Sequence, residues 1–246
     1  MRHRVLYAIS YNLIRAYARI VLKLDMVWHE QLPPGPKLFV ANHPSATDPF
    51  LIHLVSTQPM SVLITVNAFT VPILGDLLHK IEQIPVVPKQ GGLALEHAVG
   101  IIKKGRSVTI FPEGGFSPQE GGFREPRTGA ARLALSTGVP VIPVGIHINR
   151  EWSYRIASGM SGKQTVGYWY LHGPYTMTVG KPMRFEGMVE DRERVAEVSN
   201  LIMGQIHQLA AESETRWNIS CKTDLLHDTI IWTRSLVRRL RTTTSW

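Results

Sequence analysis

Val40-Ala-Asn-His-Pro-Ser-Ala-Thr-Asp-Pro-Phe50 is the stretch whose reading decides the fold. An apolar run from Lys37 to Ala41 delivers the chain to Asn42 and His43, and Asp48 follows five residues after the histidine. A short apolar run that stops at a polar turn reads as a buried strand. Pro44, Ser45 and Thr47 suit a loop entering a helix N-terminus, and such a turn folds Asp48 back toward His43. A histidine backed by a carboxylate suits general-base chemistry: the imidazole takes a proton from a hydroxyl, and the carboxylate fixes the ring tautomer and stabilises the imidazolium. Alone, the same spacing fits a surface turn after a strand.

A second stretch, Ser107-Val-Thr-Ile-Phe-Pro-Glu-Gly-Gly-Phe-Ser-Pro118, is again a strand-like run that ends abruptly in a turn, with Glu113, Gly114 and Gly115 at its mouth. Ser61 to Val66, Ile84 to Val87 and Val139 to Ile146 also read as strands. Between them, Gly92 to Lys104 and Thr128 to Thr137 have helical patterns, the first closed by Gly105 and the second capped by Thr128 and closed by Gly138. This alternation predicts an α/β fold, a single domain with a mixed, largely parallel sheet flanked by helices. Sites in such sheets form at the carboxyl ends of strands, where both polar turns fall. Beyond residue 150 the signals thin. Thr165 to Leu171 and Thr176 to Val179 are strand-like, Asp191 to Glu212 is a long helical pattern, and 224 to 241 forms a last amphipathic helix.

The chain has 246 residues, 44% of them apolar, enough to bury a sizeable core. Its one cysteine, Cys221, excludes an internal disulfide and a cysteine-rich zinc site, and no metal-ligand spacing is present. The net charge is +8, and its placement is informative. Residues 1–24 carry Arg2, Arg4, Arg15, Arg19 and Lys23 with no acid, whereas residues 25–221 are neutral. Residues 222–246 carry five basic side chains against Asp224 and Asp228. Basic ends on a neutral body fit an anionic membrane surface better than a nucleic-acid partner, which calls for charge spread over a reading face. Residues 4–24 are helical in pattern, with Leu6, Ile9, Leu13, Tyr17, Ile20 and Leu24 on one side and Arg15, Arg19 and Lys23 on the other. Two arginines inside so short a stretch argue against a spanning helix. The helix lies in the membrane plane or packs on its own domain, and one face can do each job.

The two turns, in this order and about seventy residues apart, resemble the glycerolipid acyltransferase family, the lysophosphatidic acid acyltransferases and their relatives. The family's first block, Asn/His-His-x4-Asp, matches Asn42-His43 to Asp48. Its third, Phe-Pro-Glu-Gly-Thr-Arg-Ser, matches Phe111-Pro-Glu113-Gly114-Gly115-Phe116-Ser117. A second block matches Glu82 to Lys89, with Pro88 where an arginine is expected, and a fourth matches Val139 to Val144. The resemblance implies an O-acyltransferase of phospholipid biosynthesis that moves a fatty acyl group from an acyl-CoA or acyl carrier protein thioester to a lysophospholipid hydroxyl. It implies no cofactor beyond that co-substrate. His43 would be the base and Asp48 its support. Glu113 would contact the acceptor or brace the loop.

The family's third-block arginine, which holds the acceptor's phosphate, is Phe116 here. Either Arg124, Arg127 or Lys89 replaces it, with Gly114 and Gly115 offering backbone N–H groups, or the acceptor is a phosphate-free lipid alcohol or glycolipid. The same two departures motivate a third reading, a non-catalytic lipid-binding relative, which the retention of His43 and Asp48 opposes. His147 follows the fourth block and reads as a core or surface histidine, as do His53, His79, His97, His172 and His207. The resulting division is an N-terminal amphipathic membrane-interface helix over 1–30, an acyltransferase domain over 31–221 and a C-terminal basic amphipathic helix over 222–246. It implies a protein attached to the cytoplasmic face of a membrane, with lipid acceptor and acyl thioester as partners.

Overall fold

The computed structural model describes the backbone of residues 2–158 and 165–242, and the side chains of residues 5–157 and 166–220. In chain order the elements are α1 (Arg2–Ile20), β1 (Asp25–Trp28), β2 (Leu38–Ala41), α2 (Asp48–Leu51), β3 (Met60–Thr65), α3 (Val66–Phe69), α4 (Leu74–Lys80), β4 (Ile84–Val86), α5 (Gly91–Lys103), β5 (Ser107–Ile110), α6 (Gly129–Thr137), β6 (Val141–His147), β7 (Tyr154–Ser158), β8 (Thr165–Trp169), β9 (Thr176–Val179) and α7 (Arg192–Thr242). A turn of 3-10 helix, Ile52–Val55, follows α2.

Among the described residues, seven strands form one sheet in the order β1-β9-β6-β2-β5-β3-β4. Neighbours run parallel except β6 and β9, which are antiparallel. The α/β class and the mixed, largely parallel sheet are as the sequence implies. The central strands are apolar throughout because both faces are covered. Along β2, Phe39 and Ala41 enter one core with α1 and the residues after Asp48, while Leu38 and Val40 enter the other with α5, α6 and α7. The carboxyl ends of β2 and β5 therefore emerge side by side, and the two polar turns emerge with them.

One contact fixes α7 on the sheet. A Cβ placed on Gly145 of β6 would lie 2.1 Å from the backbone nitrogen of Ala210. Only a glycine lets the helix backbone approach so closely.

Three expectations are corrected. First, the stretch 1–30 is not a separate helical unit. Its residues Asp25–Trp28 form β1, which pairs with β9 at the sheet edge, and Ala18 and Leu22 are buried in the core. Second, α1 is apolar on two opposite sides. Tyr7 and Ala18, with Leu22 just beyond the helix, face inward, while Ile9, Leu13 and Ile20 of the apolar side read from the sequence, together with Val5, point outward. Third, the two expected C-terminal helices are one continuous backbone helix, since neither Gly nor Pro interrupts residues 205–242. The side chains of the expected basic helix 222–246 lie outside the described residues. A further hairpin, β7 with β8, has a first strand that the thin signals after residue 150 did not announce.

Candidate active site

The loop after β2 folds back as its sequence implies. His43 Nδ1 lies 2.9 Å from Asp48 Oδ2. Asp48 is 0% exposed. Its Oδ2 also accepts from the Ser45 backbone N–H at 2.8 Å, and its Oδ1 accepts from the Tyr175 hydroxyl at 2.7 Å. With these three donors the carboxylate is buried yet satisfied. Burial, with Asp48 beside it, holds the Tyr175 hydroxyl well above its ordinary titration range, so it stays a neutral donor. Asn42 ties the base of the loop to β6: its Nδ2 donates to the Ile146 carbonyl at 2.8 Å and its Oδ1 accepts from the Ile146 N–H at 2.7 Å.

The loop after β5 frames the histidine. The His43 ring stacks on Phe111 at 4.2 Å between centroids, and Phe116 covers it at 4.7 Å. Tyr168 of β8 meets Phe116 edge-on at 6.0 Å. Aromatic walls fix the ring plane and keep bulk water from it.

Glu113 takes the bracing role. It is 3% exposed, and its Oε1 accepts from the His43 backbone N–H at 3.0 Å and the Ser117 hydroxyl at 2.6 Å. Its Oε2 accepts from the Arg124 backbone N–H at 2.9 Å. A carboxylate so engaged joins the two loops and is not presented to an acceptor. Gly114, at φ +63, turns the loop, and its N–H is spent on the Phe111 carbonyl. The side chain of Arg127 lies where a Cβ on Gly114 would stand, 2.3 Å from its Nε. Gly115 has open space beside its Cα. Arg124 is exposed and its Nε donates to the Phe116 carbonyl at 2.6 Å.

His43, Asp48, Glu113, Gly114, Gly115, Arg124 and Arg127 are thus brought together. Lys89 is not: it is exposed beyond β4, the edge strand, with β3 and β5 between it and β2. His147 stands edge-on to Trp217 at 5.5 Å, and burial lowers its pKa. His53 is buried beside Tyr7, a core histidine as expected.

Sequence reasoning missed the supports that come from far along the chain. The Tyr168 carbonyl accepts from the Ala46 N–H at 2.7 Å, and the Tyr170 carbonyl accepts from the Thr47 hydroxyl at 2.9 Å. Arg150, half-buried, donates to the Pro118 carbonyl and, at 3.0 Å, to that of Gly122, pinning the third-block loop to the end of β6. Burial lowers the Arg150 pKa, and Glu113, Glu120, Glu214 and Asp48 oppose the shift. Backbone carbonyl acceptors leave no trace in side-chain identity, and no local spacing announces Tyr175.

A histidine with a buried aspartate behind it, set at the carboxyl edge of a mixed sheet, is an arrangement that can take a proton from a hydroxyl. The chain belongs to the Acyltransferase family, whose model matches residues 23–147. It is 31% identical over 127 residues to the chloroplastic 1-acyl-sn-glycerol-3-phosphate acyltransferase BAT2 of Brassica napus, a match covering 50% of this chain and 36% of the relative. It is 26% identical over 189 residues to the 1-acyl-sn-glycerol-3-phosphate acyltransferase of Pseudomonas aeruginosa, covering 74% of this chain and 67% of the relative. The chain thus spans about a third of the chloroplast relative's length. The crystal structure of the 1-acyl-sn-glycerophosphate (LPA) acyltransferase PlsC from Thermotoga maritima superposes with a TM-score of 0.62 at 20% identity, covering 86% of this chain and 83% of that one. At that identity the likeness shows the fold.

Proposed function

We propose that the protein is an O-acyltransferase that moves a fatty acyl group from an acyl-CoA or acyl carrier protein thioester to the free hydroxyl of a lysophosphatidic acid. The observation that carries the reading is the 2.9 Å contact of His43 Nδ1 with the buried Asp48. With Nδ1–H donated to the carboxylate, Nε2 keeps its lone pair and takes the proton of the acceptor hydroxyl. The acceptor oxygen attacks the thioester carbonyl. The C–O bond forms, the C–S bond breaks, and the thiolate leaves and recovers the proton from the imidazolium. The thioester is already activated, so no covalent enzyme intermediate is needed. Asp48 stabilises the imidazolium, and Tyr175 and Ser45 stop it from swinging away. The names of the relatives support a phosphorylated glycerolipid acceptor.

Membrane attachment belongs to the same proposal. Among the described residues no helix is long and apolar enough to cross a membrane. The outward stripe of α1, where Leu13 is 67% and Ile20 79% exposed, suits the interface of the cytoplasmic face, with Arg15 and Arg19 beside it. Phe116 favours a second reading, a phosphate-free lipid acceptor, because it stands where the resembled family has an arginine.

The experiment is transfer from labelled acyl-CoA or acyl carrier protein to a panel of acceptors, with His43→Ala as the blank. Loss of the base is expected to lower kcat about a hundredfold to ten-thousandfold with the fold intact. Wild-type turnover by His43→Ala overturns the mechanism. Transfer to no acceptor from either donor moves the protein to a non-catalytic lipid-binding role.

A further inference from the structure

The geometry points to an anion clamp formed by Arg124 and Arg155, which holds the acceptor's phosphate from two sides of the Phe116 ring. It rests on the acyltransferase reading. Phe116 covers the His43 ring at 4.7 Å, so whatever flanks Phe116 is one ring away from the base. From one side comes Arg124. Its Nε is anchored on the Phe116 carbonyl at 2.6 Å, which fixes the stem of the guanidinium and leaves the terminal nitrogens of an exposed residue. From the other side comes the hairpin. Arg155 of β7 is registered directly across from Tyr168 of β8, and directly opposed residues of an antiparallel pair share a face. That is the face on which Tyr168 meets Phe116 edge-on at 6.0 Å. Arg155 is exposed on it.

The buried Glu113 carboxylate does not cancel the charge. Both oxygens of Glu113 are engaged by the His43 N–H, the Ser117 hydroxyl and the Arg124 N–H. In a 1-acylglycerol 3-phosphate the reacting hydroxyl and the phosphate sit on adjacent carbons. The anion must therefore bind close to the imidazole, beside Phe116, the residue whose carbonyl Arg124 holds and whose ring meets Tyr168, the cross-strand partner of Arg155. Their planar forks match a phosphate's paired oxygens. The clamp holds ground state and transition state alike, so its loss falls on KM more than on kcat.

The test is steady-state kinetics of Arg124→Ala/Arg155→Ala on lysophosphatidic acid and on the monoacylglycerol that lacks only the phosphate. The expected result is a KM for lysophosphatidic acid raised about tenfold to a hundredfold, with the preference for it over monoacylglycerol falling in proportion. Adding Phe116→Arg to the double variant should restore part of that preference. An unchanged preference in the double variant overturns the clamp, and so does a wild-type enzyme that acylates only monoacylglycerol. Binding of sn-glycerol 3-phosphate to His43→Ala, followed by calorimetry, reads the clamp without turnover. Binding that the two alanines abolish supports it even if the acyl transfer reading fails. No binding, or binding that survives them, overturns it.

Discussion

At the scale of the residue, the proposed chemistry depends on a carboxylate shut off from water. Asp48→Asn keeps the shape but replaces one acceptor oxygen with a donor, so the imidazole loses its tautomer preference. Turnover is expected to fall about a hundredfold to ten-thousandfold with KM little changed, as steady-state assays would show. Tyr175→Phe strips one donor from the buried Oδ1. An unpaired buried acceptor costs about 1–3 kcal/mol, to be read in urea unfolding midpoints. His53 carries a different liability. Burial, and the positive charge of Arg106, lower its pKa to about 4. The folded state therefore binds fewer protons than the unfolded chain, whose histidine titrates near about 6.5. Stability is full above that value and is lost as pH falls toward 4, by up to about 3 kcal/mol. Urea midpoints measured from pH 7.5 down to 5 should fall, and His53→Gln should flatten the slope. The histidine and aspartate were legible because they lie five residues apart on one turn. Tyr175 was not, since it reaches Asp48 across 127 residues of chain.

At the scale of the element, β6 and α7 are joined through an absence of side chain. Gly145→Ala would drive a methyl into the α7 backbone at Ala210. The helix has to move off the sheet, and a loss of at least about 1–3 kcal/mol is expected in thermal or urea unfolding. Ser136→Ala, on the outer turn of α6, serves as a control with little effect. The strands and helices between 37 and 146 were legible because apolar runs alternate with capped helical patterns. In α7 the apolar period fades after Leu209 although the helix goes on, which is why two helices were expected. For α1 the sequence left two roles open. With apolar residues on opposite sides, its period alone does not say which side the domain takes.

At the scale of the whole molecule, the outward stripe of α1 and the first-block loop belong to one body. The Tyr175 N–H donates to the Leu22 carbonyl at 2.9 Å, so the residue that holds Asp48 also holds the end of the helix segment. Ile9→Glu/Leu13→Glu places charge on the exposed stripe without touching the core. Binding to anionic vesicles is expected to drop about tenfold or more by sedimentation, and unchanged binding would remove α1 from the membrane contact. The global topology was legible only as a class. No local pattern announces that β1 and β9, about 150 residues apart, close one edge together.

That closure has a consequence in time. A chain made from its N-terminus completes His43, Asp48 and the third block well before Tyr168, Tyr170 and Tyr175 exist. Until those residues emerge, the aspartate lacks its hydroxyl donor and the loop lacks the two carbonyls that hold it. Residues 23–147 carry the family's signature but not every support of the His43–Asp48 pair. A nascent chain halted after the fourth block would thus bear every recognisable motif while Asp48 and its loop still lacked the supports from Tyr168, Tyr170 and Tyr175.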